Sequence, residues 1–130
     1  MFAGKRPDHV NTGQSLLAVC PNTPNCVSSH ATGGYHAIES FAAGANPADS
    51  MQRLADIVSS TPRCTLVTSR DDYLYAECRS RLLGYVDDLE FALDKNANVI
   101  HVRSASRLGR SDFGVNRKRV ERIRSLYFAD

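Results

Sequence analysis

Apolar positions fall into two helical runs and four alternating ones, all placed after residue 45. Met51, Leu54, Ala55 and Val58 recur at i, i+3, i+4 and i+7, which predicts one buried helix face. Asn46 suits the cap of that helix, Pro47 its first position and Asp49 its positive end, while Thr61 before Pro62 stops it near Ser60. Alternation then predicts strands over Arg63 to Ser69, Tyr73 to Arg81, Tyr85 to Leu93 and Val99 to Ser104. A hairpin centred on Asp71 sets Thr68 opposite Leu74, Leu66 opposite Ala76 and Cys64 opposite Cys78. In the third run Tyr85, Leu89, Phe91 and Leu93 share one side, Asp88 and Glu90 the other, and Asp87 points away from that pair. A second helix runs from about Val115 to Phe128, with Asn116 as its expected cap and Val120, Ile123, Leu126 and Tyr127 facing the sheet.

Residues 1 to 45 lack either period. Residues 1–15 are expected to be loosely ordered, and the CPNTPNCVSS stretch to form a fixed loop packed on the body. The expected fold class is α+β: a single domain over 1–130, with an antiparallel sheet of about four strands, two helices on one face and a long N-terminal loop region. With 42% hydrophobic and 23% charged residues in 130, one buried core is sufficient. No apolar run approaches the roughly 20 residues of a membrane helix, and MFAGKRPDH lacks the apolar region of a signal peptide. A cytoplasmic location is the resulting expectation.

A net charge of +2 gives little support to general nucleic-acid binding, but its distribution is uneven. Arg103 to Arg119 (RSASRLGRSDFGVNRKR) carries five arginines and a lysine, and the acids Asp71, Asp72, Glu77, Asp87, Asp88, Glu90 and Asp94 precede it. Arg117, Lys118 and Arg119 occupy the first turn of the last helix, where the macrodipole is already positive. Something negative is expected there, either the acidic strand or an anionic ligand; Gly109 and Gly114 bracket a turn suited to an anion nest. The alternative is an internal ion-pair lattice. Asp88 and Glu90 are weak candidates for acid–base or metal chemistry and His101 for proton transfer. No metal-site spacing is evident: Cys20 and Cys26 lie too far apart for a usual zinc half-site, and His30 and His36 carry no signature. Free buried thiols are the cytosolic default. A Cys20–Cys26 disulfide fits an oxidising compartment, and the hairpin register brings Cys64 and Cys78 within bridging reach.

CPNTPNCVSS (20–29), GYVDDLEF (84–91) and HVRSASRLGRSDFGVNRKRVERIR (101–124) resemble the signature blocks of the family called domain of unknown function 1499 (DUF1499), from about Leu16 onward. Its members occur in bacteria and plant plastids, some with a membrane or targeting segment. The resemblance implies no reaction and no cofactor, but implies that the blocks belong together. The leading expectation is a small-anion binding module, for phosphate or carboxylate, with Arg103, Arg107 and Arg117 as forks and Asn25, Ser28, Ser104, Ser106 and Asn116 completing a polar cleft. The alternatives are a hydrolase using Asp88 and Glu90 with or without a divalent metal, and a structural or protein-interaction domain. Neither a nucleic acid nor a membrane is favoured as partner.

Overall fold

A computed structural model describes residues 3–81 and 83–129. Its elements, in chain order, are β1 (Cys26–Ser28), β2 (Phe41–Ala42), α1 (Pro47–Ser59), β3 (Cys64–Ser69), β4 (Tyr73–Arg79), β5 (Val86–Asp94), β6 (Val99–Ser106) and α2 (Val115–Tyr127). The strands make one antiparallel sheet in the order β1-β6-β5-β4-β3, and β2 joins β6 on the edge that β1 occupies. This is the α+β arrangement expected. The four long strands match the alternating runs, whereas β1 and β2 have three and two residues, too few to show a period.

Both helices lie on one face. Met51, Leu54, Ala55 and Val58 of α1 and Val120, Ile123 and Tyr127 of α2 meet Phe41, Leu74, Leu89, Phe91, Ile100 and Val102 in the main core. Asn46 accepts the Asp49 N–H, as its position predicted. At the start of α2 the expected cap fails. The cap is Gly114, at φ 81°, a left-handed conformation that glycine adopts without a side-chain clash. Asn116 is buried inside the first turn, and the Asp112 carboxylate takes the N–H groups of Gly114 and Asn116. At the other end Leu126 is exposed, and Arg53 of α1 donates to the terminal carbonyls of Leu126, Tyr127 and Ala129.

The second sheet face is covered by the N-terminal segment, so residues expected to be loose form a strap from Ala3 onward. Val10 and Leu17 pack with Tyr73, Tyr75 and Ala92. Arg6 pairs with Glu77 at 2.9 Å, the Asn11 N–H donates to Glu90 at 3.3 Å, and Arg70 donates to the Gly13 carbonyl at 2.8 Å. A bulge between Leu66 and Thr68 alters the expected hairpin register. Cys64 faces Cys78 and Leu66 faces Ala76, but Thr68 faces Tyr75 rather than Leu74. The extra residue turns Thr68 toward the strap, where its hydroxyl donates to Asn11 at 2.6 Å.

Cys20–Cys26 and Cys64–Cys78 are disulfides, and none of the described cysteines is free, so the thiol default does not hold. Denatured, unreduced protein is accordingly expected to release no thiol to Ellman's reagent. A Cys64→Ala/Cys78→Ala variant, which opens a cross-link of sequence separation 14, should lose about 3 kcal/mol in urea unfolding. Four titrating thiols, or an unchanged unfolding midpoint, would count against the cross-links.

Candidate functional site

Strand alternation divides the polar block of β6. Arg103 and Arg107 point to the strap face, whereas Ser104 and Ser106 point to the helix face; on β5, Asp88 and Glu90 join the former and Asp87 the latter. The residues expected to share one cleft therefore form two assemblies, back to back across the sheet.

On the helix face Asn116 is the hub. Its Oδ1 accepts from Ser104 (2.6 Å) and Arg119 (2.9 Å), and its Nδ2 donates to Asp112 (2.8 Å) and Ser106 (3.0 Å). Arg119 also pairs with Asp87 at 2.9 Å. Burial raises the Asp112 carboxyl, but bonds from Asn116 and the backbone N–H groups outweigh this and hold it below its ordinary value. Asp112 and Asp87 are thus the negative groups that the cationic first turn of α2 calls for. Asn25 donates to the Gly109 carbonyl at 2.8 Å, Ser28 Oγ accepts the His30 N–H at 3.1 Å, and Arg117 donates to the carbonyls of Ala37 (3.0 Å) and Tyr35. Six of the expected ligand-binding residues are thus bonded to one another or to backbone.

On the strap face Arg107 binds Asp88 through Nε (3.0 Å) and Nη2 (2.9 Å) and Glu77 through Nη2 (2.5 Å). The Tyr75 hydroxyl lies 2.5 Å from Asp88 and 3.0 Å from Glu77. Burial pushes Glu77 up, but Arg6, Arg107 and Tyr75 together bring it down to about 2. The Asp88 hydrogen bond and those that follow raise Arg107 further. Farther along β5, Glu90 Oε2 accepts from the Tyr73 hydroxyl and the Asn11 N–H, while its buried Oε1 has no partner among the described residues. Burial dominates there and raises the Glu90 carboxyl.

Arg103 sits opposite Glu90 across the ladder. It is 2% exposed, yet among the described residues its guanidinium enters no hydrogen bond or ion pair, and its buried Nε is orphaned. Desolvation lowers its pKa against the raising fields of Glu90 and Asp88. Arg103 lines a cleft of about 410 Å³ together with Pro7, His9, Val19, Pro21 and Asp88. Burial and the Arg103 charge hold His9 below its ordinary value.

Arg6, His9, Tyr73, Tyr75 and Glu77 were not expected at a site. A signal was present for three of them: Tyr73, Tyr75 and Glu77 alternate in phase, on the face that Asp88 and Glu90 share. His101 stands apart, bonded to Ser29 Oγ (2.9 Å), stacked on His30, and 3.8 Å from Asp94. The N–H groups of His30, Ala31 and Val102 around that serine–histidine–aspartate string are already engaged. Ser29 Oγ accepts the Val102 N–H at 2.8 Å, and Ser28 accepts the N–H groups of His30 and Ala31, so they cannot serve an oxyanion. Among the described residues no three His, Cys, Asp or Glu side chains are grouped to hold a metal ion.

The architecture defines an α+β domain whose single sheet buries ionisable side chains on both faces. Residues 16–126 match the family described as Protein of unknown function (DUF1499), and the chain belongs to that family. No curated protein and no solved structure matches it. None of the helices among the described residues is long and apolar enough to cross a membrane.

Removing Arg107 leaves the buried Asp88 carboxylate without its cation, while Glu77 keeps Arg6 and Tyr75, so Arg107→Ala should cost about 3 kcal/mol. Asp88→Ala should also destabilise the fold, and the double variant should lose less than the sum. Additive losses in urea unfolding would show that the pair does not act as a unit. Glu90 has the opposite sign from Glu77. Because the native carboxyl keeps its proton after the unfolded one, of ordinary pKa 4.5, stability should fall as pH rises from there through the raised value. That fall should be missing from Glu90→Gln, whereas the contribution of Glu77 should fade as pH drops from 4.5 toward about 2. Unfolding midpoints across the pH range check both signs.

Proposed function

We propose that this protein is a small-anion binding module, which holds a phosphate or carboxylate group on Arg103 in the cleft between the strap and β6. The observation that carries this reading is the Arg103 guanidinium, buried and without a bonded partner among the described residues. A buried cation costs several kcal/mol unless it is paired, and an anionic ligand supplies the missing pair. The expected forks Arg107 and Arg117 contribute less, because their donors are taken up by Asp88, Glu77 and backbone carbonyls. They support instead a structural role for most of the polar block, in which it rigidifies the walls of the cleft. The hydrolase alternative has weaker support: Asp88 is held by Arg107 and Tyr75, and Glu90 lies under Asn11 and Tyr73.

The two disulfides favour an oxidising compartment as the working location over the cytoplasm expected from the sequence. A thermal-shift screen of oxidised protein against phosphates, nucleotides and organic acids tests the binding role, because a ligand selective for the native state raises its stability by mass action. At least one anion class should raise the melting temperature by several degrees at saturation, and the shift should vanish in Arg103→Gln. A flat response to every class would overturn the proposal.

A further inference from the structure

We infer that the anion is a monocarboxylate bearing an apolar group, held through the Arg103 fork with its apolar part against Pro7, Val19, Pro21 and Ala105. This rests on the anion-binding reading above and narrows it by charge, by donors and by lining.

The charge of the cleft is small. Arg107 is matched by Asp88 and Glu77, which leaves Arg103 as the unmatched cation among the described lining residues. Desolvation and the Arg103 charge both lower the His9 pKa and so favour its neutral ring over a second charge. Asp88 lines the same cleft and repels a second negative charge on a ligand. A phosphomonoester carries about −1.5 to −2 at neutral pH, more than this wall can compensate; a carboxylate carries one charge.

Donors are equally scarce. The N–H groups of Asn25, Ser106 and Arg107 donate to Thr23, Asn25 and Val86, the Thr23 hydroxyl donates to Asn25, and Asn25 Nδ2 donates to Gly109. The N-terminus of α2, the other natural anion holder, is on the opposite face and closed by Asp112. Besides the single N–H of a neutral His9 ring, that leaves the Arg103 guanidinium with its orphaned Nε, and a planar fork of this kind matches the two oxygens of a carboxylate. The remaining lining is apolar: Pro7 and Pro21 are rigid, Ala105 is buried, and Val19 is 88% exposed at the rim. A volume of about 410 Å³ falls in the range of small-molecule sites.

The test is calorimetric titration of the oxidised full chain with acetate, butanoate, hexanoate, benzoate, inorganic phosphate and methyl phosphate. Affinity should rise along the linear acids by up to about fourfold per added methylene, and the two phosphates should bind at least tenfold more weakly than hexanoate. Arg103→Gln should abolish hexanoate binding. Should that variant fail to fold, Val19→Ser, which removes an apolar side chain at the rim without adding charge, should weaken hexanoate several-fold while leaving acetate nearly unchanged. Phosphates binding as tightly as hexanoate would overturn the monocarboxylate assignment and leave anion binding standing. No heat with any of the six would remove both. Equal hexanoate affinity in wild type and Arg103→Gln would overturn the assignment of this cleft.

Discussion

The Arg107 guanidinium, seated against Asp88 and Glu77, is the interaction on which the strap face depends. Removing Asp88 from water, with Glu77 only partly exposed beside it, is costly, and only close, multiply bonded cations offset it. Arg107 meets both acids, Arg6 brings a second cation to Glu77, and the Tyr75 hydroxyl lies against both. The strap is part of the same solution. It carries Arg6 to Glu77, and it buries Val10 and Leu17 over the tyrosine rings so that the ion pairs lie in a medium where they are strong.

Side-chain alternation then explains why one polar block serves two purposes. Successive residues of β6 face opposite ways, so Ser104 and Ser106 reach Asn116 under α2 while Arg103 and Arg107 reach the strap. The helix-face network fastens the terminal helix and the 107–114 loop to the sheet. Through Asn25 and Gly109 it also fixes the loop that walls the cleft on the other face. Rigidity is thus built on one side and the unmatched cation presented on the other.

Much of the fold was legible because long elements repeat their period. The α1 face, the four long strands, the Cys64–Cys78 pairing and the inward set of β5 all follow from spacing. What escaped had no period to reveal it. The strap is held by single contacts such as Asn11 to Glu90, and the edge strands are too short. The cap of α2 was misassigned because Asn116 suits a cap by type, yet Asp112 reaches the same N–H groups from the preceding turn. For the site, sequence gave candidate residues but not their partition. The phase that separates Asp87 from Asp88 applies equally to Arg103 and Ser104, and it implies two faces once it is carried across both strands.

Arg103 and Arg107 make the closing comparison, since they share a strand, a face and a cover. Arg107 has a carboxylate at every turn, and its charge is favoured by what surrounds it. Arg103 is more deeply buried and has no bonded partner among the described residues; desolvation dominates it, while the acid opposite it across the ladder, Glu90, is itself biased toward its neutral form. Moving a proton from Glu90 to solvent would give Arg103 a counter-charge, but at the cost of ionising a carboxyl that burial disfavours. Under the proposed binding role, a ligand anion entering from the cleft would resolve the conflict without that cost. It would supply charge where the field of Arg103 is strongest and leave Glu90, Tyr73 and Asn11 bonded as they are.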